Sequence, residues 1–118
     1  MGYVKVKAKV FNLERSKTVV LEFLADTGAI YTAIPENLLN ELGIIPKGKR
    51  KFKLANGELK DYPVGEAYIE IEGEGVTSLV IFIPKEATPL LGVTTLELLG
   101  LQVDTLSGKL KPMELLLL

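Results

Sequence analysis

The reading of this chain turns on Leu24-Ala25-Asp26-Thr27-Gly28-Ala29. The nearly all-apolar, β-rich run from Val19 to Ala25 delivers a lone carboxylate into a turn, followed by a hydroxyl, a glycine and a small residue. A carboxylate at the end of an apolar strand loses water, which disfavours its charged form unless a partner compensates. Thr27 can donate and accept hydrogen bonds. Gly28 lets the backbone take a tight conformation and lets a ligand come close. The tripeptide alone is equally an ordinary turn after a strand, because Asp and Gly are common turn formers.

Working outward, Val4, Val6, Ala8 and Val10 alternate with Lys5, Lys7 and Lys9, the period of a strand with one buried face. Asn12 to Lys17 turns the chain into the Val19–Ala25 strand, which reads as covered on both faces. Ile30 to Ile34 is a third strand. Pro35 then sits at a first helical position, Leu38, Leu39 and Leu42 follow at helical spacing, and Gly43 stands where a helix ends. Lys49 to Leu54 alternates, Ala55-Asn56-Gly57 signals a hairpin turn, and Leu59 to Val64 returns. A second hairpin is expected from Tyr68, Ile69 and Ile71 through Gly73-Glu74-Gly75 to Val76–Ile83. Beyond the loop between Pro84 and Pro89, Thr94 or Thr95 caps a short helix that Gly100 ends. Leu101–Val103 and Lys109–Leu110 flank a last turn at Ser107-Gly108. Seven or eight strands and two short helices predict a mostly β, small, closed barrel-like domain over residues 1–118.

Composition narrows the chemistry. The 118 residues include no His, no Cys and no Trp. That excludes a Ser-His-Asp triad, a cysteine nucleophile, a thiol redox centre and an ordinary zinc site. Proton transfer near neutral pH falls to carboxylates, Tyr or Lys. Fourteen basic and 15 acidic side chains give a net charge of −1, so no global basic field draws nucleic acid. The start, Met1 to Val10, has no apolar core and does not read as a signal peptide; Val6 stands where a myristoylation motif wants Ser or Thr. Leu115 to Leu118 is far too short for a membrane span. The expectation is a cytoplasmic protein with no membrane and no nucleic-acid partner.

Two further elements give Asp26 its context. Pro89-Leu90-Leu91-Gly92 places two apolar residues and a glycine before a short helix, and the Asn56-Gly57 hairpin lies between it and Asp26. In this order the chain resembles the retropepsin-like aspartic proteases, the retroviral enzymes and their cellular and prokaryotic relatives, over roughly Val4 to Pro112. The helix from Pro35 to Leu42 is absent from the compact retroviral enzymes and is similar to what the cellular and prokaryotic branch carries.

The resemblance implies roles. Asp26 is the expected catalytic carboxylate, and Thr27, Gly28 and Ala29 the loop that supports it, with Thr27 gripping a second subunit. Phe52 to Leu59 is the expected flap, with Phe52, Leu54, Ala55, Asn56 and Gly57 over the substrate. Leu90, Leu91 and Gly92 pack beneath the active-site loop. Val93-Thr94 follow where retroviral members place polar or charged residues, so the dimer contacts there are expected to differ. Aspartic proteases need two carboxylates sharing one proton. With a single Asp-Thr-Gly in the chain, the second must come from another copy, which predicts a two-fold homodimer. The implied activity is endopeptidase hydrolysis of a peptide or protein substrate by activated water, falling once both carboxylates ionise, with no metal and no cofactor. The alternative is a non-catalytic dimeric peptide-binding module on the same fold.

The remaining features have plainer readings. Lys47, Lys49, Arg50, Lys51 and Lys53 form a solvated strand face, or the start of a nucleic-acid surface; Glu70, Glu72 and Glu74 lack a calcium-loop pattern. Tyr31 lines a subsite or packs in the core. The tail Met113–Leu118 is too apolar to stand free, so it is expected to pack, and terminal strands build the dimer interface in retroviral enzymes.

Overall fold

The computed structural model describes residues 3–117; the Met1-Gly2 pattern and Leu118 lie outside them. Among the described residues there are nine strands and two helices: β1 (Tyr3–Phe11), β2 (Thr18–Asp26), β3 (Thr32–Pro35), α1 (Glu36–Glu41), β4 (Gly48–Lys53), β5 (Leu59–Ile71), β6 (Glu74–Ile83), β7 (Leu90–Leu91), α2 (Val93–Leu98), β8 (Leu101–Asp104) and β9 (Lys109–Pro112). Seven strands form one sheet in the order β1-β2-β7-β3-β6-β5-β4, and an extra β1–β5 pairing brings the order back on itself. The chain is thus mostly β with two short helices, and β4 hangs from the ring as the outer arm of a hairpin. The nine include the two-residue β7, which the sequence does not mark as a strand, and the β8–β9 pair, which are the arms of the expected last turn.

The alternation in β1 does what its period requires. Val4, Ala8 and Val10 are buried, while Lys5, Lys7 and Lys9 are exposed. Phe23 and Ala25 of β2 join them in a core with Ile34, Leu39, Ile69, Val80, Leu91 and Leu96. Phe23 has no exposed surface, so its truncation to Ala would cost about 3–5 kcal/mol. The expectation that β2 is covered on both faces is corrected. Thr18, Val20 and Glu22 are exposed, because Val19, Leu21, Phe23 and Ala25 take the face that packs on the core and the alternate residues point to solvent.

Four other expectations change. The arm from Leu59 and the strand through Ile71 are one 13-residue strand. Pro63 does not break it, since it lies where β5 has β4 on one side and no strand on the other. The second hairpin turns at Glu72-Gly73, both with positive φ (52° and 86°), one residue earlier than the glycine spacing suggested. Pro35 precedes α1 as its N-cap residue and still belongs to β3, while Gly43 ends the helix at φ 78° as expected. The tail does not pack beyond its first residues. The Met113 N–H donates to the Gly100 carbonyl (2.9 Å), but Leu116 and Leu117 are 85% and 103% exposed.

A smaller apolar cluster lies apart from the main core. Ala33, Val64 and Ile81 are buried, with Tyr31, Phe52, Tyr62, Ile83 and Leu90 packed on them. It joins the β4–β5 hairpin to β3 and β6, on the side of the barrel where β2 ends.

Candidate active site

Asp26 is the last residue of β2 and is half-buried. Its carboxylate Oδ1 accepts the Gly28 N–H at 2.9 Å, and its carbonyl accepts the Ala29 N–H at 3.0 Å. The first bond is the self-capping that Asp makes in turns, and the second closes the turn. Thr27 and Gly28 are exposed. A Cβ on Gly28 would lie 3.6 Å from Asp26 Oδ1, an ordinary contact, so the position is open from within the chain.

The loop is held from beneath by α2. The Val93 N–H donates to the Ala29 carbonyl (2.9 Å) and the Thr94 N–H to the Ile30 carbonyl (3.0 Å). These are first-turn donors that a helix cannot satisfy internally. The loop therefore caps the helix, and the helix fixes the loop. Neither Thr94 nor Thr95 caps α2 with its side chain; Gly92 is the N-cap residue, which corrects the expected cap. Leu91 is fully buried, and β7 sits between β2 and β3, pairing Leu24 with Leu90 and Ala33 with Leu90. Gly92 must be glycine for space. A Cβ there would meet the Tyr31 carbonyl carbon at 2.3 Å, the Ile30 oxygen at 2.5 Å and the Thr32 nitrogen at 2.6 Å, all backbone.

Sequence reasoning missed three buried hydroxyls that lock this junction. The Gly92 N–H donates to Thr32 Oγ1 (2.9 Å); Thr32 Oγ1 and Thr95 Oγ1 are 2.6 Å apart; Thr95 Oγ1 and Ser78 Oγ are 2.7 Å apart. Ser78 Oγ donates on to the Leu79 carbonyl at 3.2 Å. One hydrogen-bond direction satisfies every hydroxyl, running from Gly92 through Thr32, Thr95 and Ser78 to Leu79. The chain ties β3, β6, β7 and α2 together in the core. Thr32 is a lone hydroxyl between Tyr31 and Ala33, but Ser78 and Thr95 each follow another hydroxyl residue, Thr77 and Thr94, so no local signal marks all three.

A cavity of about 650 Å³ opens beside the loop, within the range of small-ligand and peptide sites. Gly28 and Ala29 line one end, Phe52 and Leu54 the hairpin side, and Leu90 the floor. Asp26 itself stands just outside the lining residues. The structure thus gathers much of the expected site: the loop, the hairpin strand and Leu90 around the cavity, with Leu91 and Gly92 buried beneath. It does not bring Ala55, Asn56 and Gly57 to the cavity. They form the exposed hairpin tip, where the Glu58 N–H donates to Asn56 Oδ1 (2.9 Å) and the Gly57 N–H to the Leu54 carbonyl (2.9 Å), with Gly57 at φ 89°.

Tyr31 lines the cavity and also packs on the smaller apolar cluster of Ala33, Val64 and Ile81. It stands edge-on to Phe52, with ring centres 6.1 Å apart, and accepts a hydrogen bond from Arg50 Nη1 at 2.8 Å. Lys47 pairs with Glu66 (3.1 Å) and Lys51 with Asp61 (3.2 Å), both at the surface. Among the described residues, no group of three or more His, Cys, Asp or Glu side chains is placed to hold a metal ion, and no helix is long and apolar enough to cross a membrane.

This geometry can be set beside known proteins. No curated protein sequence matches the chain. Among solved structures it is similar to the simian foamy virus (mac) protease in solution, at 22% identity and TM-score 0.57, over 80% of this chain and 93% of that one. It is also similar to the foamy viral protease–reverse transcriptase in complex with an RNA/DNA hybrid (22% identity, TM-score 0.60, 98% of this chain and 13% of that one). The native prototype foamy virus protease–reverse transcriptase matches at 22% identity and TM-score 0.53, over all of this chain and 13% of that one. The chain therefore spans about an eighth of the two fusion proteins and nearly the whole of the separate protease. These likenesses establish a retropepsin-like fold. The sequence profile described as "gag-polyprotein putative aspartyl protease" matches residues 16–98, well over half of the chain. The match runs from before β2 through α2, taking in the Asp26 loop, the β4–β5 hairpin and Gly92, and the chain belongs to this retropepsin-like aspartyl protease family.

Proposed function

We propose that two copies of this chain assemble about a two-fold axis that brings their Asp26 carboxylates together, and that the dimer hydrolyses internal peptide bonds. The observation that carries this reading is the single half-buried carboxylate on a turn that α2 holds rigid, at the edge of a large, mainly apolar cavity. One carboxylate cannot serve as both acid and base. Two held about 3 Å apart share a proton, so one donates to the scissile carbonyl while the other takes a proton from water. The water oxygen bonds to the carbonyl carbon. The tetrahedral adduct then collapses as the amide nitrogen receives a proton and leaves as the amine.

In this reading Thr27, exposed beside Asp26, makes the grip between subunits, and Gly28 and Ala29 meet the substrate backbone. The β4–β5 hairpin, from Phe52 to its tip at Asn56-Gly57, is the flap. Substrate lies extended between flap and loop, paired through its main chain. The exposed Leu116 and Leu117 are surface that a second subunit would cover. Helix α1 supports a place in the cellular and prokaryotic branch. A cytoplasmic location, with neither nucleic acid nor membrane as partner, completes the proposal; the Lys47 and Lys51 ion pairs favour a solvated strand face over a nucleic-acid surface.

The test is cleavage of a diverse peptide mixture from pH 3 to 8 by wild type and Asp26→Asn, with products read by mass spectrometry. Wild-type products that vanish in Asp26→Asn support the hydrolase. Peptides bound but left intact by a protein shown to be dimeric would replace it with the binding module.

A further inference from the structure

The cavity has two chemically different parts. Its floor, made by Ala33, Ile81, Ile83 and Leu90, is apolar. Its rim on the hairpin side carries Arg50, Lys51 and Lys53, and no acidic residue lines the cavity anywhere. Lys51 is occupied by Asp61. Arg50 takes part in neither of the two ion pairs among the described residues. Its partner is instead a neutral phenol: Nη1 donates to the Tyr31 hydroxyl at 2.8 Å, with the guanidinium carbon 5.4 Å from the ring centre. Tyr31 is braced in turn by Phe52. One corner of the guanidinium is anchored to the wall and its charge is left uncompensated.

We propose that Arg50 makes this cavity selective for a peptide segment that carries an acidic side chain next to a large apolar one. A guanidinium fixed at one nitrogen presents its remaining N–H donors as a planar fork, which matches a carboxylate. The apolar side chain fills the floor, and the carboxylate reaches back to the rim. Selection works in both directions, because a basic side chain at the same point would face the Arg50 charge. The inference rests on the peptide-hydrolase reading for the nature of the occupant, but its test does not depend on turnover.

Asp26→Asn protein is immobilised and offered a pool of apolar-centred octapeptides in which each position in turn is Glu, Gln or Lys, and captured peptides are quantified by mass spectrometry. At one position Glu peptides should be enriched over their Gln counterparts about three- to tenfold, as befits a charged hydrogen bond at a solvent-exposed rim. The enrichment should shrink in about 0.5 M salt. Adding Arg50→Gln should bring the ratio to about one, and Arg50→Glu should turn the preference toward Lys. Tyr31→Phe, which removes only the anchoring hydroxyl, should lower the ratio without reversing it. Equal capture of Glu and Gln peptides at every position, or a Glu preference that survives Arg50→Gln, overturns the inference. Capture of no peptide overturns it as well. Wild-type cleavage of the same pool separates the two readings: cleavage without acidic preference leaves the hydrolase standing and removes Arg50 as its selector.

Discussion

Replacing Gly92 with Ala should destabilise this protein more than any other single methyl added at a glycine of ordinary φ within the barrel. The new Cβ would lie 2.3–2.6 Å from three backbone atoms of Ile30, Tyr31 and Thr32, and none of these can rotate away. Either β7 withdraws from β3 or the Ile30–Thr32 segment moves. Overpacking of this kind costs about 1–3 kcal/mol. Both movements also stretch the Gly92 N–H bond to Thr32 Oγ1, and an unmet buried group costs about 1–3 kcal/mol more. The two costs share one local rearrangement and overlap, so roughly 3 kcal/mol, in the lower half of their sum, is the working figure. With ~2.1 cal/mol/K of unfolding entropy per residue over 118 residues, that lowers Tm by about 12 °C. The assay is thermal unfolding by circular dichroism at one fixed protein concentration, since dimerisation would make Tm concentration-dependent. Gly48→Ala is the control: its nearest neighbour is Val64 Cγ2 at 4.0 Å, so it should change Tm by no more than about 3 °C. A Gly92→Ala melting point within about 3 °C of wild type would refute the claim that this junction is rigid.

Other consequences can be measured independently. Thr95→Val keeps the shape and removes the central hydroxyl of the buried chain, leaving Thr32 and Ser78 each short of a partner; denaturant unfolding should show a loss of about 2–4 kcal/mol, and Thr95→Ser much less. In the β8–β9 hairpin, the Ser107 hydroxyl, helped by the Leu106 N–H, holds the Asp104 carboxyl below the ordinary carboxylate range. A depressed carboxyl supports the fold above its unfolded pKa and loses that support as pH falls through its folded value. Ser107→Ala should therefore raise the Asp104 titration midpoint followed by NMR, and an unchanged midpoint would show that Ser107 is not the cause. Asp26→Asn should leave the fold intact, since its amide oxygen can still accept the Gly28 N–H; circular dichroism should match wild type.

What could be read from the chain in advance was mostly local. The alternation in β1, the turn at Asn56-Gly57, the helix end at Gly43 and the Asp26 loop each carry their signal within a few residues. What escaped depends on contacts far apart in sequence. The apolar run in β2 reads as doubly covered, yet only the Phe23 and Ala25 face meets the core, whose partners Ile69, Val80 and Leu91 lie far along the chain. The arm ending at Val64 and the strand through Tyr68 read as two, but Pro63 falls where no strand waits on its far side, and Gly65 leaves room for the Phe82 ring, which would lie 3.1 Å from a Cβ. Thr94 and Thr95 stand where caps belong, and α2 instead donates its free N–H groups to the Asp26 loop. Thr95 is turned inward to Thr32, 63 residues away. The elements that hold the candidate site rigid are thus the ones that no local pattern displays, whereas the carboxylate was visible from its own six-residue context.

The most direct measurement of the central claim is a mixing experiment. Wild type is mixed with Asp26→Asn in varying ratio at constant total protein, the subunits are allowed to exchange, and peptide cleavage is recorded. If each site needs an Asp26 from both subunits, activity follows the square of the wild-type fraction, and an equal mixture retains about one quarter of the activity of pure wild type. Activity that falls in simple proportion, to about one half, would mean that each chain works with its own carboxylate alone and would contradict the account.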